Sequence, residues 1–305
     1  KLNFATNYLK RDKIDYSAGI DWNSVNDKYE VNESDVRVHG FVGKDMESFY
    51  LKTDLSFDYF KKSRANYELF SSNTDLSRHI INVVPMIQLK NEKARLNLGV
   101  DLALEKNLES EIHLFPKVDF SLPIAENIFY LFANVSGGVV KNNFLTMALE
   151  NPFVNSTVQP MNTINKIELK GGMNGSFSSR VSFLAFVKYS SFDRLQLYYN
   201  DSISSNKFNT LYTNGKVLNI HGELTYRAGE KFEASVHIDQ YKYSLDFSQK
   251  AWHHPNTEVK FSAKYNLRDK LYIDGALFGR GSYYVRIQEL NGFSEKSIKG
   301  YVSML

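Results

Sequence analysis

The chain has 305 residues, of which 43% are hydrophobic and 14% aromatic, and its 37 basic and 34 acidic residues leave a formal net charge of +3. Both signs are spread evenly, so the chain offers no basic stripe to DNA or RNA, and we predict no nucleic-acid partner. The lack of cysteine excludes disulfides and thiolate metal sites, and the lack of an apolar run of about 18 residues excludes a membrane-spanning helix.

The first third of the chain alternates apolar and polar residues. Apolar side chains stand at every second position in 16–22, 51–59 and 81–89. Because successive side chains of a strand point to opposite faces, this period predicts strands with one apolar and one polar face.

The strictest alternation lies in the middle of the chain, at 95–104. Leucine and valine occupy one face there, and polar or small residues occupy the other. The pattern returns at 111–122, 166–177 and 181–189. These segments have about the length that a tilted strand needs to cross a bilayer.

The last third repeats the pattern at 232–239 and 258–267, and a further strand begins at 298. Short polar turns separate the strands in pairs, which is typical of β-hairpins. The turns are predicted at 10–13, 43–45, 91–93, 123–126, 178–180, 227–230 and 268–270.

Longer connections lie between these turns. In outer-membrane barrels the tight turns face the periplasm and the long loops face outside. We therefore predict an all-β fold, a single domain at 1–305 that forms an antiparallel up-and-down transmembrane β-barrel of about fourteen strands, with short periplasmic turns and long extracellular loops. The loops are predicted at 23–35, 60–79, 139–165, 190–216, 240–257 and 281–297, with a short connection near 105–110.

Three short motifs carry a resemblance to a known family. They are Glu150-Asn151-Pro152-Phe153, the stretch 162–166 and the hairpin at 171–178. With the surrounding residues 93–300, they resemble plugless outer-membrane barrels of Bacteroidota described as TonB-dependent-receptor-like. The resemblance implies a barrel in the bacterial outer membrane, in contact with its lipid, and it points to no substrate.

The chain departs from full TonB-dependent receptors, which have a plug domain and a barrel of about 22 strands. A chain of 305 residues is too short for both, and we see no plug sequence before Lys1, so energised uptake is not expected. The strand that begins at Ile298 stops at Leu305 without a terminal aromatic residue. We therefore expect the final strands to be missing, and up to about 16 strands in the full-length protein.

Charged residues of both signs share the polar faces. Two interpretations stay open: they line an aqueous pore and set its ion preference, or they pair across strands and fill the lumen, which the mixed signs favour. The lumen candidates are Asp54, Asp58, Arg95, Asp101, Lys117, Asp119, Glu168, Lys170, Lys188, Glu223, Arg227, Glu233, Lys260, Lys264, Asp274 and Arg280. The candidates for contact with lipid are Leu96, Leu98, Val100, Leu102, Phe183 and Phe261.

We predict no catalytic residue, no metal site and no cofactor. His253 and His254 are the only adjacent histidines, and a metal ion would need further converging ligands. His113, His221 and His237 alternate onto polar faces, where an embedded hydrolase would place its base, but no Gly-x-Ser-x-Gly motif accompanies them.

Three hypotheses for function follow. The first is a non-enzymatic outer-membrane barrel for solute passage or capture, similar to a porin or to a TonB-receptor barrel without its plug. The second is a structural or accessory subunit of a larger outer-membrane assembly, with other outer-membrane proteins as partners, and the third is an embedded hydrolase. A water-soluble all-β sandwich or repeat protein is the alternative fold, and it would require the apolar faces to meet in a core.

Overall fold

The computed structural model of the protein describes residues 2–6, 14–28, 31–64, 76–89, 94–107, 109–125, 128–201, 206–246, 250–267, 270–289 and 292–304. These residues form seventeen strands and one short helix, so the predicted all-β fold is confirmed. Among them, no helix has the length and apolar character needed to cross a membrane. The elements are β1 (Leu2–Thr6), β2 (Ile14–Asn26), β3 (Val31–Asp45), β4 (Phe49–Arg64), β5 (Leu76–Leu89), β6 (Arg95–Lys106), β7 (Ser110–Ala125), β8 (Phe129–Val140), α1 (Phe144–Glu150), β9 (Thr163–Ser176), β10 (Val181–Asn200), β11 (Phe208–Ala228), β12 (Phe232–Leu245), β13 (Thr257–Leu267), β14 (Leu271–Arg280), β15 (Tyr283–Glu289), β16 (Gly292–Ile298) and β17 (Tyr301–Met304).

The chain divides into two compact units, and the first comprises residues 1–118, 136–167 and 206–210. In this unit β1 to β6 follow one another as antiparallel pairs. Because a slip of one residue would turn a strand over, the register keeps alternate side chains of successive strands on one face. One row of partners runs through Ala18, Gly40, Leu55, Val83 and Leu102.

The second unit comprises residues 119–135, 168–205 and 211–305. Here β11 to β14 pair in sequence, again antiparallel, and β17 pairs with the end of β14. The strands β15 and β16 form a separate two-stranded hairpin. One row of partners runs through Leu224, Val236, Phe261, Leu277 and Met304.

Many large apolar side chains of these strands are exposed. Leu98 keeps 42% of its surface accessible, and Phe261 keeps 40%. Val100 and Leu102 are exposed as well, whereas Leu96 and Phe183 are half-buried. In a water-soluble antiparallel sheet the apolar face is the one that packs on a core, so this pattern is the reverse of the usual one.

Several predicted loops are shorter in the structure. Within the predicted loop at 190–216, β10 continues to Asn200 and β11 begins at Phe208. β10 has 20 residues and β11 has 21, so both strands exceed the about 11 residues that a tilted strand needs to cross a bilayer. The predicted loop at 281–297 contains the β15–β16 hairpin, and the one at 23–35 is largely taken up by the ends of β2 and β3.

Some predicted connections fall outside the described residues. These are the turns at 10–13 and 91–93 and residues 65–75 of the predicted loop at 60–79. The turn predicted at 43–45 lies slightly later, because β3 ends at Asp45 and β4 begins at Phe49.

Candidate functional site

The connection between β8 and β9 folds onto the polar face of the first unit. We call residues 141–162 the docked segment. Its short helix α1 begins after Asn143, whose side chain accepts a hydrogen bond from the Thr146 amide at 2.8 Å, while the Asn143 amide donates to the Thr146 hydroxyl at 3.0 Å. This reciprocal capping satisfies two backbone donors of the first turn. Phe144 and Met147 of α1 are buried, so tertiary contact stabilises a helix too short to persist alone.

A buried glutamate of β3 receives the start of this helix. The Glu33 side chain is almost inaccessible, and its two oxygens accept hydrogen bonds from the amides of Phe144 at 2.9 Å and Leu145 at 3.0 Å. Both bonds are charge-assisted, which makes them stronger than neutral ones. Glu33 therefore fixes the docked segment to β3 through its backbone.

Lys141 is the charge at the centre of the contact. Its ammonium lies 2.8 Å from Asp35 of β3 and 2.9 Å from Asp58 of β4. Asp35 also accepts a hydrogen bond from the Asn143 amide group at 3.4 Å. Two like charges that share one site repel each other, and the ammonium between them offsets that repulsion.

A buried amide links the other end of the segment to β5 and β6. Asn162 accepts from the Arg78 guanidinium at 3.3 Å and donates to Glu105 at 2.9 Å. Arg78 also donates to the carbonyl of Asn142 at 2.8 Å, and its guanidinium lies 4.4 Å from the Phe60 ring centre. Arg78, Glu105 and Asn162 are each at most 2% exposed, so every polar group in this contact depends on its partner.

Lys62 of β4 completes the interface. Its ammonium donates to the carbonyls of Ser156, at 2.9 Å, and Val158, and it lies 4.9 Å from the centre of the Phe144 ring. Chemically, these contacts neutralise and cover charges on four neighbouring strands. The docked segment is thus a cover for the polar face, held by matched charges.

The predicted lumen residues of the first unit have different surroundings. Asp58 belongs to the interface just described, whereas Asp54 pairs with Lys52 of its own strand at 2.7 Å. Asp101 accepts from Asn82 across the β5–β6 pair at 3.2 Å. Arg95 is exposed and Lys117 is half-buried.

In the second unit most of the predicted lumen residues contact a partner on a neighbouring strand. Arg227 lies 2.6 Å from Glu233, and Glu223 lies 3.3 Å from His237. The other contacts are Asp119 with Asn134, Glu168 with Lys188, Lys170 with Phe186, Lys260 with Phe278, and Arg280 with Glu258. Asp274 stands opposite Lys264 in the register of β13 and β14.

The histidines singled out from the sequence separate into three places. His221 and His237 meet on β11 and β12, while His113 lies in the first unit, 3.4 Å from both Glu105 and Glu111. His253 and His254 lie in the connection between β12 and β13. Burial is the main cause that lowers the pKa of His253 to about 4, and the neighbouring His254 adds to the effect.

Sequence reasoning missed most of the docked interface. Arg78 and Glu105 lie on the polar faces of β5 and β6, just outside the segments 81–89 and 95–104 in which the alternation is clear. Extending the alternation beyond those segments would have found them. Glu33 and Asp35 fall within the predicted loop at 23–35, whereas the structure places both on β3. Lys141 and Asn162 lie in a true connection, where no periodicity marks them.

Of the comparisons with known proteins, the one with solved structures finds proteins of similar fold. No family model matches the chain, and no curated protein matches it. The FrpB iron transporter of Neisseria meningitidis has a similar structure, with a TM-score of 0.64 and 10% identity over 95% of this chain and 52% of that one. The siderophore receptor PirA of Acinetobacter baumannii gives 0.64 and 10% over 95% and 52%, and the pyoverdine outer membrane receptor FpvA of Pseudomonas aeruginosa PAO1 gives 0.59 and 9% over 99% and 49%. The chain therefore spans about half the length of these proteins.

Proposed function

We propose that the chain belongs to a non-enzymatic outer-membrane β-barrel that serves the passage or capture of solutes. The observation that carries the proposal is the exposed apolar face of long, up-and-down antiparallel strands. Lipid is the solvent that makes such a face favourable, because acyl chains replace the missing core. The opposite face supplies the charged wall that a solute would meet.

The structural neighbours support the same proposal. They bear the names of outer-membrane receptors and of iron and siderophore transporters or receptors. The finer assignment, to plugless TonB-dependent-receptor-like barrels of Bacteroidota, is part of this proposal and rests on the motifs at 150–153, 162–166 and 171–178.

A pair of adjacent substitutions on β6 tests the membrane assignment. We expect Leu98→Arg to destabilise the protein in lipid vesicles by about 2 to 4 kcal/mol, because an arginine on the lipid face near the bilayer centre must leave water. The matched control is Asn97→Arg, which places the same side chain on the polar face of the same strand. Urea unfolding in vesicles measures both, and equal losses for the two variants would contradict the proposal.

Conductance separates passage from capture. If solutes pass, the purified protein in a planar bilayer gives a stable ion current. If solutes are only captured, the protein gives no current but still migrates as a heat-modifiable band after extraction from outer membranes. A protein that stays soluble without detergent would refute both forms.

The docked segment favours a second candidate, a structural or accessory subunit of a larger outer-membrane assembly. It covers the polar face of β3 to β6 with buried, paired charges instead of leaving that face to water. A filled lumen suits a scaffold whose outer wall or loops bind partner proteins. Stoichiometric copurification of other outer-membrane proteins, together with zero conductance, would favour this candidate over the first.

A further inference from the structure

The polar face of β11 and β12 carries a compact group of metal-ligand side chains. His221 and Glu223 alternate along β11, and His237 lies directly opposite Glu223 on β12. One ligand atom from each lies within 4.8 Å of the others. The Glu223 carboxylate is 3.3 Å from Nδ1 of His237 and 3.9 Å from Nε2 of His221. We call these three residues the β11–β12 cluster.

The other nitrogen of each ring has its own polar partner. Nδ1 of His221 lies 2.9 Å from Asp239, which also accepts from Asn219 at 2.9 Å. Nε2 of His237 lies 3.1 Å from the Ser235 hydroxyl. Histidines that bind metals have this arrangement, because the outer hydrogen bond fixes the tautomer and orients the inner nitrogen.

We propose that the β11–β12 cluster binds a divalent late first-row metal ion, such as zinc or copper. Nε2 of His221, Nδ1 of His237 and the Glu223 carboxylate would be its ligands. Imidazole nitrogens with one carboxylate suit these ions better than magnesium or calcium, which prefer oxygen ligands. Three protein ligands leave a further position for water or a solute group.

The distances and charges fit this proposal. Tetrahedral zinc, with bonds of about 2.0 to 2.1 Å, needs ligand atoms about 3.4 Å apart, so small side-chain movements complete the site. Glu223 and Asp239 supply two negative charges next to the ion. Lys260, which lies opposite His237 on β13, directs its ammonium to the Phe278 ring, 5.3 Å from the ring centre.

A hydrolytic triad is the competing interpretation of the same residues. Ser235, His237 and Glu223 form a chain of hydroxyl, imidazole and carboxylate. However, the Ser235 hydroxyl also lies 2.7 Å from that of Ser262, and β12 pairs with a strand on each side. The backbone amides of β12 are therefore engaged in the sheet and do not point to a developing oxyanion. Two histidines that lie on either side of one carboxylate favour the metal site over the triad.

Zinc binding to the full 305-residue chain in detergent tests the proposal. After chelator treatment, titration calorimetry with zinc chloride should show one site per chain, and cobalt should give the absorption bands of a tetrahedral ion. Asp239→Asn removes only an outer hydrogen-bond partner, so we expect it to weaken zinc binding about 10- to 100-fold. His221→Ala and His237→Ala each remove a ligand and should weaken zinc binding by more. Glu223→Gln keeps the size of the side chain and should also weaken binding.

His39→Ala is the matched control, because His39 lies on a polar face and, among the described residues, has one carboxylate within ion-pair distance, that of Asp21 at 3.4 Å. It should bind zinc as the unmodified protein does. Binding that survives in both His221→Ala and His237→Ala, or that is lost in His113→Ala instead, would overturn the proposal. So would hydrolysis of a p-nitrophenyl ester that requires Ser235 while zinc does not bind. Heat-modifiable migration verifies the fold of each variant.

Discussion

Two of the connections that the structure describes fold back onto strands, and contacts of different kinds hold them. The docked segment is fixed by ions and amides, with Lys141 between Asp35 and Asp58. The connection between β12 and β13 is held on the β15–β16 hairpin by the buried Trp252 and by the ring contact of His253 with Tyr283, whose centres lie 6.2 Å apart. There Trp252 is 1% exposed, and Arg286 lies 5.1 Å from its ring.

The surfaces beneath the two connections explain the difference. The docked segment covers strands whose polar faces carry several charges, so it must neutralise them in order to bury them. The β12–β13 connection meets a small hairpin that presents aromatic rings, and Arg286 also lies 4.1 Å from Phe293. We infer that pairing of opposite charges stabilises the docked segment, and that burial of a large side chain stabilises the β12–β13 connection.

The largest effect is expected when the volume of the second contact is removed. Trp252→Ala should lower the free energy of opening of the β12–β13 connection by about 3 to 5 kcal/mol, because a buried indole leaves a cavity. It also removes the indole donor to Glu295, at 2.8 Å. Amide hydrogen exchange of the peptide containing His253, whose amide donates to the Tyr284 carbonyl at 2.8 Å, measures the loss.

Trp22→Ala is the control for that substitution. The Trp22 side chain is 68% exposed, so its removal creates no buried cavity. It should leave exchange at His253 unchanged. If exchange at His253 is no faster in Trp252→Ala than in Trp22→Ala, packing does not hold this connection.

A somewhat smaller effect is expected from the central charge of the docked segment. Lys141→Met removes the ammonium between Asp35 and Asp58, and the exposed Arg37 guanidinium, 3.9 Å from Asp58, then offsets their repulsion only in part. Breaking a buried ion pair from one side costs about 3 to 5 kcal/mol, and we expect about 2 to 4 kcal/mol here because Lys141 keeps part of its exposure. Exchange of the α1 amides, which include the donors to Glu33, measures the loss.

Lys52→Met gives the matched comparison on β4. Lys52 pairs with Asp54 at 2.7 Å, but both side chains are partly exposed. The expected loss is about 0 to 1 kcal/mol, as for surface ion pairs. Equal effects of the two lysine substitutions would mean that burial adds nothing to the contact of Lys141.

The strands could be predicted where one face repeats without interruption. Residues 95–104 and 258–267 form β6 and β13, because leucine, valine and phenylalanine at every second position specify the face as well as the strand. The extension of β10 to Asn200 could not be predicted, because Ser191 and Asp193 interrupt its apolar face.

The docked interface could not be predicted from periodicity. Its contacts join residues far apart in the chain, such as Lys141 with Asp35 and Asn162 with Glu105. Alternation reports which face a residue occupies but not which loop will cover it. The β11–β12 cluster was missed for a related reason, because its ligands come from two strands and the register decides that His237 meets Glu223.

The smallest effect is a pH dependence confined to the β12–β13 connection. The pKa of His253 is lowered to about 4, first by burial and then by His254. An unfolded histidine has a pKa of about 6.5, so between these values the open connection binds more protons than the closed one. The stabilisation is therefore complete above about pH 6.5 and is lost progressively as the pH falls toward 4. Exchange at the peptide containing His253, corrected for its intrinsic pH dependence, should show more frequent opening at about pH 5 than at about pH 7.5.

His253→Asn is the variant that sharpens this test. His253 has a φ of 62°, in the left-handed region that asparagine tolerates better than most residues, so the backbone can keep its path. The variant has no group at this position that titrates between pH 4 and 7. Its opening should therefore lose the excess at low pH, and an unchanged pH dependence would assign the effect to the neighbouring His254 instead.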